Sequence, residues 1–151
     1  DINAKIQIDV FGRASRFFIR WCKSKQVKNL QIKLEKSIPR NQISHLAKNY
    51  NAGLQLNSFE YPYLVSTKIY EYPALGLPVL SINGGGDVEE LIVNNQIGIS
   101  VNILINWEKK ISYLIESLNG ILSDKLILFS RKSSWKSRSD QIEGYLVDSF
   151  Q

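Results

Sequence analysis

The first candidates for chemistry are Lys68 and Glu71, two side chains of opposite charge that stand three residues apart. That spacing puts them on one face of a helix, and Ser66 and Thr67 just before them can both cap its start. Glu71 lies outside the capping-box position for either hydroxyl, so capping does not account for it. In one interpretation the two charges form an ordinary solvated ion pair. In the other, the free N–H groups at the helix start and Lys68 hold an anionic phosphate, while Glu71 accepts hydrogen bonds from sugar hydroxyls.

The helix that carries this pair has a well-marked end. Gly76 supplies a left-handed residue after the last turn, and Pro78 prevents the helix from continuing. Ile69, Tyr72 and Leu75 recur at helical spacing and are expected to face a sheet. A short apolar strand follows. The succession of helix, turn, strand, glycine loop and helix is typical of a parallel α/β sheet, whose ligand sites gather at one edge.

The segment after that strand offers a glycine loop and a second helix. The loop Gly84–Gly86 is either a flexible turn or an amide-lined path past a ligand. It matches neither the phosphate-binding P-loop nor the dinucleotide fingerprint at its usual position. Asp87 and Glu90 have the spacing of a capping box, which predicts a helix over Val88–Val93.

The remaining segments complete an alternating pattern of strands and helices. The first strand ends at Gly12, where a residue without a side chain makes an ordinary turn or lets a ligand approach. A short helix is predicted from the helical spacing of Phe17, Phe18, Trp21 and Cys22, and its aromatic side chains are expected in the core. Trp107–Leu122 has the pattern of an amphipathic helix packed on the sheet, and Trp135–Phe150 that of a final helix. Outside the central segment, the predicted strands are Lys5–Phe11, Asn29–Leu34, Ala52–Leu56 and Ile97–Val101.

The composition is that of one globular domain over residues 1–151, because 44% of the side chains are hydrophobic and 11% are aromatic. No apolar run is long enough to span a membrane and no signal-like start is present, so a cytoplasmic location is expected. Cys22 is the single cysteine and cannot form an internal disulfide. With only one histidine, His45, beside it, a zinc site is implausible. We expect no metal and no cofactor of its own.

The charge balance suggests anionic partners. The net charge is +5, yet the basic residues are scattered and accompany no nucleic-acid-binding motif, so nucleic acid is not an expected partner. Phosphates and anionic lipid remain, and a peripheral contact with the inner face of the membrane is an alternative to a purely cytoplasmic location. The chain contains no methionine, which supports a domain cut from a longer protein.

Several runs of this sequence resemble the donor-binding half of GT-B glycosyltransferases of the large group 1, or family 4, type. Ile38–Ile43 is similar to the family's loop after its third strand, and Ser134-Trp135 resembles the pair that opens its last helix. The resemblance therefore covers most of the chain. The other runs that carry it are Lys68–Val79, Gly84–Gly85, Glu89–Ile92 and Gly98–Ile99.

The resemblance implies a Rossmann-like α/β domain, with a parallel sheet flanked by helices, that binds a nucleoside-diphosphate sugar. In the family, the acid that matches Glu71 grips the ribose, and the start of its helix lies against the diphosphate. Transfer of the sugar to an acceptor hydroxyl, in glycan or polysaccharide biosynthesis, needs an N-terminal acceptor domain, so the isolated domain is expected to be inactive and no catalytic residue is assigned. The expected donor-binding residues are Ser66, Thr67, Lys68, Glu71, Gly12, Pro39 and Arg40.

The sequence departs from the family pattern at two places. The family's first glutamate, eight positions before the one matching Glu71, is replaced by Tyr63. The family's first strand, with its basic pair, has no counterpart before Lys5, so the resemblance implies a fragment that lacks a central strand of the sheet order 3-2-1-4-5-6. A GT-B sugar-nucleotide epimerase and a non-catalytic nucleotide- or glycan-binding module are the alternative functions.

Overall fold

The structure is a computed structural model that describes residues 5–24, 29–57, 60–61, 64–82, 85–101, 116–118 and 120–149, with side chains described as far as residue 143. The chain divides into two compact units, Asp1–Leu46 and Ala47–Gln151. Each unit contains its own parallel sheet, and helices alternate with the strands. The predicted α/β class with parallel sheets flanked by helices is therefore confirmed.

The first unit contains a two-stranded parallel sheet. Its elements are β1 (Ile6–Phe11), α1 (Arg16–Ser24), β2 (Leu30–Glu35) and nearly all of α2 (Arg40–Ala47). In the sheet, Ile6 lies opposite Leu30 and Phe11 lies opposite Glu35. None of the described side chains of this unit is fully buried. The unit therefore has no closed core among its described residues.

The structure corrects the prediction that the aromatic side chains of α1 belong to the core. Phe17 is 79% exposed, Trp21 is 41% exposed, and no residue of α1 is buried. Helical periodicity shows which side chains share a face, but it does not show whether another element covers that face. Here Phe17 and Trp21 are exposed, and Phe18 and Cys22 are only half-buried.

The second unit contains a three-stranded parallel sheet in the order β3-β4-β5. Gly53 of β3 lies opposite Val79 of β4, which in turn lies opposite Gly98 of β5. Among the described strands, only β4 is paired on both sides. The elements are β3 (Gly53–Leu56), α3 (Lys68–Ala74), β4 (Val79–Ile82), α4 (Asp87–Asn95), β5 (Gly98–Val101), α5 (Ser123–Lys132) and α6 (Trp135–Ser149).

The core of the molecule lies in this second unit, where α3 and α4 pack on the strands and α5 packs on α3. Its buried residues come from those three helices, from β4 and from the residue just before β5. Burial of each of these aliphatic or aromatic side chains contributes about 1.5–3 kcal/mol of transfer free energy. The core residues are Ile69, Val79, Val88, Ile92, Ile97, Leu126 and Phe129.

Helix α3 ends as the sequence predicts. Ile69 is fully buried, and Gly76 has the left-handed φ of 77° expected of a residue that terminates a helix. The Leu77 N–H donates to the Tyr72 carbonyl at 2.9 Å, which closes the turn. Strand β4 then begins at Val79, directly after Pro78.

The predicted capping box at the start of α4 is wrong. The capping box is absent, because α4 begins at Asp87 itself, its N-cap is Gly86, and no side-chain cap bond forms. Asp87, Glu89 and Glu90 instead place three acids in the first turn, where they interact favourably with the helix dipole.

Helix α5 has no counterpart among the predicted elements. The sequence predicts one amphipathic helix that reaches Leu122, but Leu122 is the exposed N-cap of α5. Residues 102–115, which hold most of that predicted helix, lie outside the described ranges. The final helix does begin after Ser134, whose hydroxyl accepts a hydrogen bond from the Ser137 N–H at 3.1 Å. Within the described ranges, no helix has the length and apolar character needed to cross a bilayer.

Candidate functional site

Helix α3 brings together four of the seven predicted site residues. It begins after the chain has left the carboxyl end of β3, which is the edge where ligands bind in open α/β sheets. Ser66 Oγ accepts a hydrogen bond from the Lys68 N–H at 3.3 Å. Thr67 is the N-cap residue, but its backbone is helical and its side chain makes no cap bond. Ser66, rather than Thr67, therefore supplies the hydroxyl that organises the helix start.

Lys68 and Glu71 form the ion pair that their spacing allows. Lys68 Nζ lies 2.5 Å from Glu71 Oε2, and the two side chains are 52% and 50% exposed. A pair this exposed contributes at most about 1 kcal/mol, because water screens both charges. Its two partners can therefore exchange the contact for stronger ones with a ligand that offers both phosphate and hydroxyl groups.

The backbone amides of the first turn of α3 already have partners in the chain. The Ile69 N–H donates to Ser66 O, and the N–H groups of Tyr70 and Glu71 both donate to Thr67 O, at 3.0–3.2 Å. With the Lys68 amide on Ser66 Oγ, the four amides of residues 68–71 all have acceptors. An anion at this helix start would therefore depend on the Lys68 ammonium and on the hydroxyls rather than on free amides.

Tyr72, the residue that follows Glu71 in α3, fixes this helix to the sheet. Its ring lies over Gly53, where any Cβ would collide with the ring carbons, and its hydroxyl donates to Leu54 O at 3.1 Å. Burial raises the pKa of the Tyr72 hydroxyl above the ordinary tyrosine value, while nearby Lys68 lowers it and Glu71 raises it. The neutral hydroxyl is therefore the form that the fold holds.

A row of polar side chains crosses the sheet near its carboxyl end. Gln55 of β3 lies opposite Ser81 of β4, which lies opposite Ser100 of β5. Gln55 is 3% exposed and Ser81 is fully buried. Gln55 Nε2 donates to Asn57 Oδ1 at 2.9 Å, which links the row to the end of β3.

Three atoms of this row and of the adjoining Asn57 are buried without a hydrogen-bond partner in the described part of the chain. They are Gln55 Oε1, Asn57 Nδ2 and Ser81 Oγ. Buried polar groups normally pair with protein or with ordered water, so this position favours water or a polar group. Sequence reasoning missed the row, although a single polar residue at the third position of each otherwise apolar strand was the available signal.

The other three predicted site residues lie in the first unit. Gly12 follows β1, and its φ of 124° is one that only glycine adopts readily. Its N–H donates to Glu35 O, at the end of β2, at 3.2 Å. Pro39 and Arg40 are exposed and stand at the start of α2, which follows β2. Gly12 and the pair Pro39 and Arg40 therefore follow the carboxyl ends of two paired parallel strands.

Two other predicted features fall partly or wholly outside the described ranges. Tyr63 and Gly84 belong to undescribed residues, whereas Gly85 and Gly86 are described. Gly86 has a φ of 55° and precedes the first turn of α4. The described ranges contain no cluster of three or more His, Cys, Asp or Glu side chains arranged for a metal ion.

A depression of about 430 Å³ lies elsewhere, at the amino ends of the first two strands. It is lined by residues of β1 and β2 and the segments just before them, including Lys5, Gln7 and Asn29. This is the edge opposite to Gly12 and Pro39, and in open α/β sheets ligands bind at the carboxyl ends. We therefore place the candidate site on α3 and not at this depression.

Comparison with known proteins adds no relative to these observations. No protein-family model matches the chain, and neither a curated protein nor a solved structure matches it.

Proposed function

We propose that this chain is the donor-binding domain of a glycosyltransferase and binds a nucleoside-diphosphate sugar. The observation that carries the proposal is the exposed pair of Lys68 and Glu71, which α3 holds beside Ser66 after the carboxyl end of β3. The pair offers a cation for phosphate and a carboxylate for vicinal hydroxyls within one helical turn. A nucleotide sugar carries both groups.

The roles follow from the chemistry of each side chain. Glu71 accepts two hydrogen bonds from the ribose hydroxyls, because an ionised carboxylate is an acceptor only. Lys68 then turns from Glu71 to the diphosphate, and Ser66 and Thr67 lie at the same helix start. The exchange is favourable because a weak, half-exposed ion pair is replaced by charge-assisted bonds to the ligand.

The two sheet orders support the resemblance. The family's sheet has the order 3-2-1-4-5-6 in its own strand numbers. Without the family's strand 1, the pair 3-2 and the triplet 4-5-6 remain. The described strands pair in these two combinations, β1 with β2 and β3-β4-β5, all parallel. Under this proposal, sugar transfer to an acceptor hydroxyl requires an N-terminal acceptor domain, and the enzyme works in the cytoplasm or at the inner face of the membrane.

Calorimetry and saturation-transfer NMR with UDP-, GDP- and ADP-sugars test the proposal. We expect one of these nucleotides to bind, and we expect Glu71→Ala to weaken its binding by about 1.5–3 kcal/mol, because a charge-assisted contact to the ribose is lost. The matched control is Glu143→Ala, which removes an exposed helical acid from α6.

The nucleoside alone, which keeps the ribose but lacks the diphosphate and the donor sugar, separates the role of Glu71 from the donor-binding function. If Glu71 binds the ribose, Glu71→Ala weakens binding of the nucleoside as much as binding of the sugar nucleotide. Equal affinity of Glu71→Ala and the unmodified chain would remove Glu71 from the site. If no member of the panel binds, the donor-binding function is overturned.

A further inference from the structure

Helix α1 carries a surface that the candidate site does not use, and we name it the basic-aromatic surface. Residues 13–24 contain four basic residues and no acid. All four basic side chains are exposed, and two exposed aromatic side chains lie among them. The surface consists of Arg13, Arg16, Phe17, Arg20, Trp21 and Lys23.

The surface has two parallel stripes. Arg16, Arg20 and Lys23 follow each other at spacings of four and three residues, so they line one side of the helix. Phe17 and Trp21, also four apart, form the adjacent stripe. Because the first stripe is cationic and the second apolar, the helix is amphipathic across its exposed side.

The helix that presents these stripes is well formed. The Ser15 hydroxyl accepts a hydrogen bond from the Phe18 N–H at 3.1 Å, which caps its first turn. At the other end, the Ser24 hydroxyl donates to Trp21 O at 2.9 Å. The Phe18 and Trp21 rings stack with centroids 5.9 Å apart, which holds the indole in place. The exposed side is therefore an ordered surface.

We propose that the basic-aromatic surface docks this protein on a bilayer that contains anionic lipid. Arginine and lysine side chains near an anionic membrane surface are attracted by its negative potential. Phenylalanine and tryptophan beside them insert between the headgroups, which removes apolar area from water. An amphipathic helix with this distribution lies flat in the interface.

Lipid fits this surface better than nucleic acid does. Phe17 is 79% exposed, and a phenyl ring offers no hydrogen bond with which to read a base edge. The stripe of aromatic side chains runs along the helix axis, which matches a flat interface. The proposal is independent of the candidate site on α3, because it involves none of the residues of that site.

Vesicle co-sedimentation of the whole chain tests the proposal. We expect the partition coefficient to rise at least about tenfold when phosphatidylcholine vesicles receive about 30% phosphatidylserine, and to fall when salt is added. Arg16→Glu with Arg20→Glu should lower binding to the anionic vesicles at least tenfold. Phe17→Ala should lower it severalfold and leave the salt dependence intact.

The matched control reverses two charges on another exposed helix. Arg131→Glu with Lys132→Glu changes the net charge by the same amount on α5, and we expect it to change binding less than twofold. Far-UV circular dichroism checks that each variant remains folded. Because Phe17 is mostly exposed, Phe17→Ala is not expected to unfold α1.

Three results would overturn the proposal. One is equal binding to neutral and anionic vesicles. Another is an equal loss of binding in the α5 control. The third is binding of a single-stranded oligonucleotide that is lost in the α1 variants while the anionic vesicles show no binding, which would assign the surface to nucleic acid.

Discussion

The Lys68 ammonium is the cation best placed for a phosphate, so its removal should affect ligands according to their charge. We expect Lys68→Ala to lower affinity for a nucleoside diphosphate more than for the nucleoside, because the lost contribution is electrostatic. Calorimetry at low salt, with both ligands, measures the difference. Added salt should reproduce the effect of the substitution.

Lys132→Ala is the control for this experiment, since it removes an exposed lysine from α5. An equal loss of affinity for the nucleoside and for the diphosphate in Lys68→Ala would contradict the phosphate role. The Lys68–Glu71 ion pair would then have a structural role in α3 and no role in phosphate binding.

The Tyr72 hydroxyl makes stability depend on pH at the alkaline end. Its folded pKa lies above the unfolded value of about 10, so its contribution is complete below that pH and is lost as pH rises through the folded pKa. We expect Tyr72→Phe to flatten the fall in unfolding free energy above about pH 10. At neutral pH it should cost about 1 kcal/mol, because the bond to Leu54 O is lost.

Urea denaturation across a pH series measures both effects. Tyr61→Phe serves for comparison, because Tyr61 is exposed. If Tyr72→Phe and the unmodified chain lose stability in parallel above pH 10, the buried hydroxyl is not the group responsible.

At the scale of elements, the packing of α3 on β3 depends on the absence of a side chain at Gly53. A methyl group there would overlap the Tyr72 ring, so we expect Gly53→Ala to destabilise the second unit by about 1–3 kcal/mol. Urea denaturation measures this change. In a Tyr72→Ala background the same substitution should cost much less, because the collision is removed.

Gly85→Ala is the matched control, since a Cβ at Gly85 meets no described atom within 4 Å and the backbone there requires no positive φ. We expect it to change stability by less than about 0.5 kcal/mol. A similar loss in both glycine variants would mean that backbone freedom, and not the Tyr72 contact, determines the role of Gly53.

The sequence predicts these elements unevenly, for physical reasons. Strand alternation and the stop signals Gly76 and Pro78 act locally, so the strands and the end of α3 were predicted to within about two residues. Leu126 and Phe129 are buried in α5, which was not predicted because Leu118 and Leu122 keep helical spacing across Gly120, the glycine that stands two residues before the N-cap. The Lys68–Glu71 ion pair could be predicted from its spacing, but the row of Gln55, Ser81 and Ser100 depends on the pairing of separate strands.

At the scale of the whole molecule, the two units differ in what holds them together. Core residues occur in the second unit, whereas no described side chain of the first unit is fully buried. A two-stranded sheet without a buried face is only marginally stable. We therefore expect local opening of the first unit to require less free energy than opening of the second.

Native-state hydrogen exchange measures that difference. The amides of β1, such as Ile8 and Val10, should exchange about a hundredfold or more faster than those of Leu80 and Ile82 in β4. Addition of anionic vesicles should slow exchange within α1 if the membrane covers that helix. Equal protection of β1 and β4 would show that the two units open together.

Every pairing between described strands joins neighbours in the chain. Strand β2 returns to β1, β4 to β3 and β5 to β4, with one helix between the strands of each pair. During synthesis, each strand therefore finds its partner already outside the ribosome and need not wait for a distant segment. The sheets can grow in the order of translation, and a nascent chain released after β5 should already protect β3 and β4 from a protease.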